Sequence, residues 1–262
     1  MQHAVAAPVT RRLSPLRLSR RHALEIAALL ALLTAVAFST FNALTTDRAP
    51  FDLPLTRQLQ RIELGPFGQA IFGVGLRGVA GALVVIVAAW LWLRRRRVEA
   101  VMVALLLVAS SSSFVLRALY DRPRPAIDLV TVHGGPQGAG YPSGTALHYM
   151  LFGGFMVYLL PKVVASRRWV AIARCCTILM VIVIGAWLVH EGRHWPSDVI
   201  GGYLYGLIFL AVFVKAYPVA KRLEAPIVSV VNRMSARLPH PVGVTGRSPL
   251  RPDVDQPATA RR

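Results

Sequence analysis

Arg117 is followed after six residues by Arg124-Pro125, so two guanidinium groups lie close together at the end of an apolar run. A guanidinium stays charged at any working pH, and its planar fork matches two phosphate oxygens at once. Farther along, Tyr141-Pro142-Ser143-Gly144-Thr145 forms a turn that opens onto another apolar run. Backbone N–H groups at the start of such a helix attract anions. Ser143 serves there either as a plain N-cap or as a phosphate contact, since one geometry supports both. His194 and Asp198 lie four residues apart. On a helix they share a face, where a carboxylate can orient an imidazole and stabilise its charge. Cationic forks, a helix start and a His/Asp pair, in this order within 82 residues, point to phosphoryl chemistry. His194 and Asp198 are the candidate catalytic pair, and Arg117, Arg124, Ser143 and Gly144 the candidate phosphate-binding groups.

The elements that must hold these groups read as membrane spans. The chain is 55% hydrophobic and only 16% charged, and its apolar residues come in blocks. Six blocks approach the roughly 20 residues that cross a bilayer core: Ala23–Leu44, Val74–Leu93, Ala100–Leu119, Ala146–Leu160, Ile172–Val189 and Val199–Tyr217. The fourth is short and is expected to gain length from its Pro-Ser-Gly end. Arg77, near the start of the second, is expected to snorkel to the surface. The predicted fold is therefore all-α, a polytopic membrane bundle of six helices.

Basic residues set the expected orientation. The first 22 residues carry five arginines and no acid, Arg94–Arg97 is a run of four, and the segment 162–174 carries Lys162, Arg167, Arg168 and Arg174. By the positive-inside rule these segments and the basic C-terminal tail face the cytoplasm, which puts both termini inside. The outer segments are then 45–73, 120–145 and 190–198, and every motif falls on that side or at its edge. The expected protein is multi-pass in the plasma membrane with an extracytoplasmic site. It divides into a basic segment 1–22, a membrane domain 23–217 and a tail 218–262.

A formal net charge of +18 raises the question of nucleic acid. The cations, however, are split among segments between apolar blocks, which suits topology and anionic lipid headgroups better. In the tail, Leu223, Ile227, Val231, Met234 and Leu238 alternate at helical spacing with Lys221, Arg222, Arg233 and Arg237. That pattern suits a helix lying on the inner surface, started or interrupted by Pro226, with disorder from Pro239 onward. Ser19-Arg20-Arg21 before an apolar run loosely resembles a twin-arginine export signal, but no small-residue cleavage site follows, so an uncleaved anchor is expected. The adjacent Cys175 and Cys176 are too strained to pair and read as apolar filler.

The order and spacing of the motifs resemble the type 2 phosphatidic acid phosphatase family, which is related to bacterial acid phosphatases and vanadium haloperoxidases. The family pattern is Lys, six residues, Arg-Pro; then Pro-Ser-Gly-His; then Ser-Arg, five residues, His, three residues, Asp. In this chain Arg117 stands for the lysine, Thr145 for the histidine that protonates the leaving group, and Trp187-Leu188 for Ser-Arg. With the hydropathy pattern included, the resemblance spans residues 67 to 216 or so. It implies a membrane phosphatase with a lipid phosphate or prenyl diphosphate as substrate and no cofactor or metal. The implied step is in-line attack by the His194 imidazole on phosphorus, giving a phosphohistidine that water hydrolyses, while arginines and N–H groups hold the equatorial oxygens. Losing the proton donor costs an alkoxide leaving group roughly 10²–10⁴ in rate, and a phosphate leaving group much less, which favours prenyl diphosphates. His148, one turn past Thr145, His190, four before His194, and Arg193 are candidate substitutes for the missing groups. The alternative for each is a locally satisfied polar side chain.

Two other chemistries fit fewer residues. His190 and His194 have the spacing of a zinc pair, but the neighbouring arginines repel a cation. A vanadate-dependent oxidase is expected to be soluble. A member of the family without catalysis, binding lipid headgroups or acting structurally, is the alternative function.

Overall fold

The computed structural model describes residues 19–65, 68, 77–134 and 138–237. Among them there are helices and no strands: α1 (Arg20–Thr45), α2 (Asp52–Leu59), α3 (Arg77–Leu93), α4 (Arg97–Tyr120), α5 (Gly144–Val163), α6 (Arg167–His190) and α7 (Pro196–Arg237). Five of them are long and apolar enough to cross a membrane, namely α1, α4, α5, α6 and α7 to Glu224, and α3 is a shorter apolar helix over Gly78–Leu93. The start of the second expected span, Val74–Leu76, and the side chain of Arg77 lie outside the described residues, as does the tail from Leu238. The fold is an all-α membrane bundle.

Large apolar side chains are exposed on every long helix but α5, including Phe38 and Phe41 on α1, Val108 and Phe114 on α4, and Leu179 and Ile182 on α6. In a bilayer such a surface costs nothing, because lipid tails are as apolar as the side chains. The interior is drawn from the opposite faces. Val84 and Leu91 of α3, Val103 and Leu106 of α4, Leu151 and Phe155 of α5 and Tyr217 of α7 form one core cluster. Tyr149 of α5, Ile184, Trp187 and Leu188 of α6 and Val199 of α7 form a second. Leu188 thus fills core volume where the family pattern carries an arginine.

α7 approaches α5 closely through small residues. A Cβ added at Gly202 would stand 2.5 Å from the Ser143 carbonyl oxygen and 2.9 Å from Ala146 Cβ, and one at Gly206 would stand 2.9 Å from the Leu147 carbonyl oxygen. Two glycines four apart let helix backbones meet where side chains would hold them off. This contact brings the N-terminus of α7, with Asp198, against that of α5, with Ser143.

The fourth span is longer than expected at both ends, by two residues at the Pro-Ser-Gly end and by three beyond Leu160. α5 starts at Gly144, is capped by Ser143 and runs through Pro161 to Val163. The expectation for Pro226 is corrected. α7 continues through Pro218 and Pro226 to Arg237, although each proline leaves a carbonyl one turn back without its helical donor. Strong helix formers such as Lys221, Leu223, Glu224 and Ala225 surround Pro226. The chain divides into two compact units, 1–220 and 221–262; in the second, Lys221 Nζ donates to Glu224 Oε2 at 2.6 Å. Cys175 and Cys176 are both exposed on α6.

Candidate functional site

The end of α1, all of α2, the end of α4, the starts of α5 and α7 and the loops between them gather at one end of the bundle. The opposite end holds the Arg94–Arg97 turn and the Val163–Arg167 turn. There Tyr217 donates to Glu99 across α7 and α4 at 3.0 Å, and Lys215 pairs with Glu25 at 2.8 Å.

His194 lies between α6 and α7 and is only 3% exposed. Its Nε2 is 3.2 Å from Arg124 Nη1, and its Nδ1 is 3.7 Å from Asp198 Oδ2. A guanidinium can only donate, so Nε2 is the acceptor and the ring proton sits on Nδ1, toward the carboxylate. The 3.7 Å gap is too long for a hydrogen bond, and Asp198 Oδ2 instead accepts from the Trp195 backbone N–H at 3.0 Å. Burial lowers the His194 pKa to about 4; the charges of Arg124 and Arg117 add to that effect and Asp198 opposes it. At neutral pH the imidazole is therefore uncharged and keeps the Nε2 lone pair that a nucleophile needs, here engaged by the Arg124 guanidinium.

Arg124 reaches the ring because the loop is pinned around it: Nε donates to the Gly138 carbonyl at 3.0 Å and Nη1 to the Arg193 carbonyl at 2.5 Å. Arg117, buried in the last turn of α4, donates from Nε to the Ser113 carbonyl at 3.1 Å. Its Nη2 stands 3.7 Å from where a Gly144 Cβ would be, next to the start of α5. Both arginines act on the charge of His194, so Arg117, Arg124, His194, Asp198 and Gly144 come together. Ser143 is fully buried and is the cap: its hydroxyl accepts from Ala146 N–H at 3.4 Å, and its own N–H donates to the Asp198 carbonyl at 2.9 Å.

Beside Arg117 and Gly144 a cavity of ≈ 190 Å³ opens between α3, α4 and α5, lined by Ser110, Ser113, Phe114, Thr145 and His148 among others. His148 Nδ1 is 3.1 Å from Ser110 Oγ, and its buried Nε2 has no hydrogen-bond partner among the described residues. Of the three candidate substitutes, His148 is the one that lines this cavity. His190 is held elsewhere, with Nε2 2.9 Å from the Ile62 carbonyl oxygen and Nδ1 3.3 Å from Glu191 Oε1. The Arg193 guanidinium lies over the Trp187 ring, 5.5 Å from its centroid, and the residue meets the cluster through its carbonyl. Among the described residues no group of three or more His, Cys, Asp or Glu side chains could hold a metal ion.

Residues 99–222 match the family model of the PAP2 superfamily. They are a PAP2 domain. Arg117, Arg124, Ser143, Gly144, His194 and Asp198 all lie within this match, whereas the α3 wall of the cavity precedes it. In fold, the chain is similar to a transmembrane PAP2-type phosphatidylglycerolphosphate phosphatase from Bacillus subtilis, with a TM-score of 0.60 and 18% identity over 72% of this chain and 94% of that one. A second similar structure is LpxE of Aquifex aeolicus, with a TM-score of 0.49 and 22% identity over 64% and 96%. No curated protein matches the chain.

Three groups at the PAP2 site carry no sequence signal of their own. Asp52, Thr46 and Ser110 sit in segments without a motif, and they reach the site through contacts between residues far apart in the chain. Arg122 reaches partners far from it in the chain. It makes no ion pair with Asp121, which is exposed and ends α4 in the left-handed region at φ 43. Instead Arg122 is buried against Asp52 and Asp198.

Proposed function

We propose that the chain is a membrane phosphatase that hydrolyses a lipid phosphate or prenyl diphosphate on the extracytoplasmic face through a phosphohistidine at His194. The observation that carries this is the buried, neutral His194, with Nε2 facing Arg124 and Nδ1 facing Asp198. Phosphate oxygens would replace His194 Nε2 and the Arg193 carbonyl as acceptors for Arg124, which frees the lone pair to attack. The Nε2–P bond forms as the P–O bond to the leaving group breaks, and Nδ1 keeps its proton. Arg117, Arg124 and the first N–H groups of α5 hold the equatorial oxygens. Water then attacks the phosphohistidine in line, and the imidazole leaves.

The cavity beside Thr145 suits the leaving group. Threonine cannot act as a general acid there, so a diphosphate, whose leaving phosphate needs little help, is the favoured class; His148 is the candidate donor for an alkoxide. The basic turns at the end of the bundle opposite the site favour a plasma-membrane protein with both termini cytoplasmic. The test is phosphate release by the purified full-length protein from a panel of lipid phosphates, phosphatidylglycerolphosphate and prenyl diphosphates included. His194→Ala is expected to abolish turnover and Asp198→Asn to lower it substantially. A wild-type protein inert on the whole panel would favour the non-catalytic alternative, a headgroup-binding or structural membrane protein.

A further inference from the structure

The PAP2 match begins at Glu99, yet the site is tied to residues well before it. Asp52, the first residue of α2, is fully buried and both of its carboxylate oxygens are occupied. Oδ1 accepts from Ser197 N–H at 2.8 Å, and Oδ2 accepts from Ala49 N–H at 2.5 Å, from Ser197 Oγ at 2.6 Å and from Arg122 Nη2 at 3.4 Å. Arg122, 2% exposed, donates from Nη1 to Asp198 Oδ1 at 2.9 Å and to Ser197 Oγ at 2.8 Å, and from Nε to the Thr46 carbonyl just past α1 at 3.1 Å. The Ser197 hydroxyl has one proton, which goes to Asp52 while its oxygen accepts from Arg122.

We propose that the chain before the family match completes the phosphoryl site, with Asp52 a positioning residue that acts through Arg122 and Ser197 to fix Asp198 behind His194. This rests on the assignment of His194 and Asp198 to the chemistry. Arg122 takes Oδ1 of Asp198, which leaves Oδ2 alone to face the Trp195 N–H and His194 Nδ1. The charges matter as much as the geometry. Two carboxylates share one guanidinium, so the buried group carries a surplus negative charge. When Nε2 bonds to phosphorus while Nδ1 keeps its proton, the ring becomes cationic, and the surplus charge balances it. Asp52 supplies that surplus from outside the family's motifs.

His194 is faced by Asp198 of α7, Arg117 of α4 and Arg124 of the loop. Behind Asp198 stand Arg122 and Asp52, with the Tyr141 ring 6.0 Å from the Arg122 guanidinium. The test is the titration of the His194 imidazole, followed by NMR on histidine-labelled full-length protein in detergent micelles and assigned by loss of the signal in His194→Gln. Removing a buried negative charge in Asp52→Asn disfavours the imidazolium and should lower the midpoint. Removing a positive charge in Arg122→Gln should raise it. Each shift should be about one pH unit at an effective dielectric constant near 20, and the double variant should titrate near wild type. Midpoints that stay put, or that move in the same direction in both single variants, would overturn the proposal. If Arg122→Gln does not fold, the charge-conserving Asp52→Glu decides: it should leave the midpoint near wild type where Asp52→Asn lowers it, and equal shifts in the two would overturn the assignment.

In turnover of a prenyl diphosphate, Asp52→Asn should lower kcat at least tenfold with KM unchanged; a change in KM alone would count against positioning. A wild-type protein without turnover would refute the activity proposed above. The titration would still decide whether Asp52 and Arg122 act on His194.

Discussion

Acidification should destabilise this protein through His194 in particular. The group titrates near 6.5 when unfolded and about 4 when folded, because burial and two arginines disfavour its charged form. Between those values the unfolded chain binds the proton and the folded one does not, so stability falls as pH falls through this window and levels off below the folded value. The full difference is about 3 kcal/mol, and by pH 5 about 2 kcal/mol of it is already lost. The perturbation is His194→Gln, which is close in size and cannot titrate. The assay is thermal unfolding of both proteins in detergent micelles between pH 7.5 and 4.5. Wild type should lose on the order of 5 °C more than the variant between pH 7.5 and 5. Parallel pH profiles would show that His194 titrates alike folded and unfolded, and would refute its description as a buried neutral imidazole.

Two further outcomes are expected. Thr145→His should raise the rate on a phosphatidate far more than on a prenyl diphosphate, because general-acid help scales with leaving-group basicity. If His148 already donates, that gain vanishes and His148→Ala slows the phosphatidate reaction selectively. For topology, a cysteine introduced in the 94–97 turn should resist an impermeant thiol reagent in intact cells, and one at Ala139 beside the site should react; the reverse pattern would invert the orientation.

The bundle was legible because apolar blocks of bilayer length leave the chain few alternatives to helices, and the motifs at their ends fixed which ends must meet. Arg117, Arg124, His194 and Asp198 converge, although His194 precedes α7 and meets Asp198 across the helix start rather than on one helical face, and His148 lines the cavity one turn from Thr145. What was illegible rests on distance in the chain. Asp52 meets Ser197 from 145 residues away, and an acid in a short polar segment has no periodicity to announce that contact. Arg122 stands next to Asp121 in the chain, but the left-handed turn at Asp121 ends α4 and Arg122 finds its partners on α2 and α7. His190 shares a helix-spacing relation with His194, but α6 ends at His190, so the four-residue interval crosses a helix end and the two rings are held by different partners. Pro226 misled because a proline's missing donor is only a local cost, which its helix-forming neighbours can offset.

The most direct test of the central claim is rapid quenching of the full-length protein during turnover of a prenyl diphosphate, followed by mass spectrometry of its peptides. A phosphoryl group that is stable to base, labile to acid, located on His194 and absent from His194→Ala is the predicted result. Turnover that proceeds with no phosphorylated His194, or that persists in His194→Ala, would contradict it.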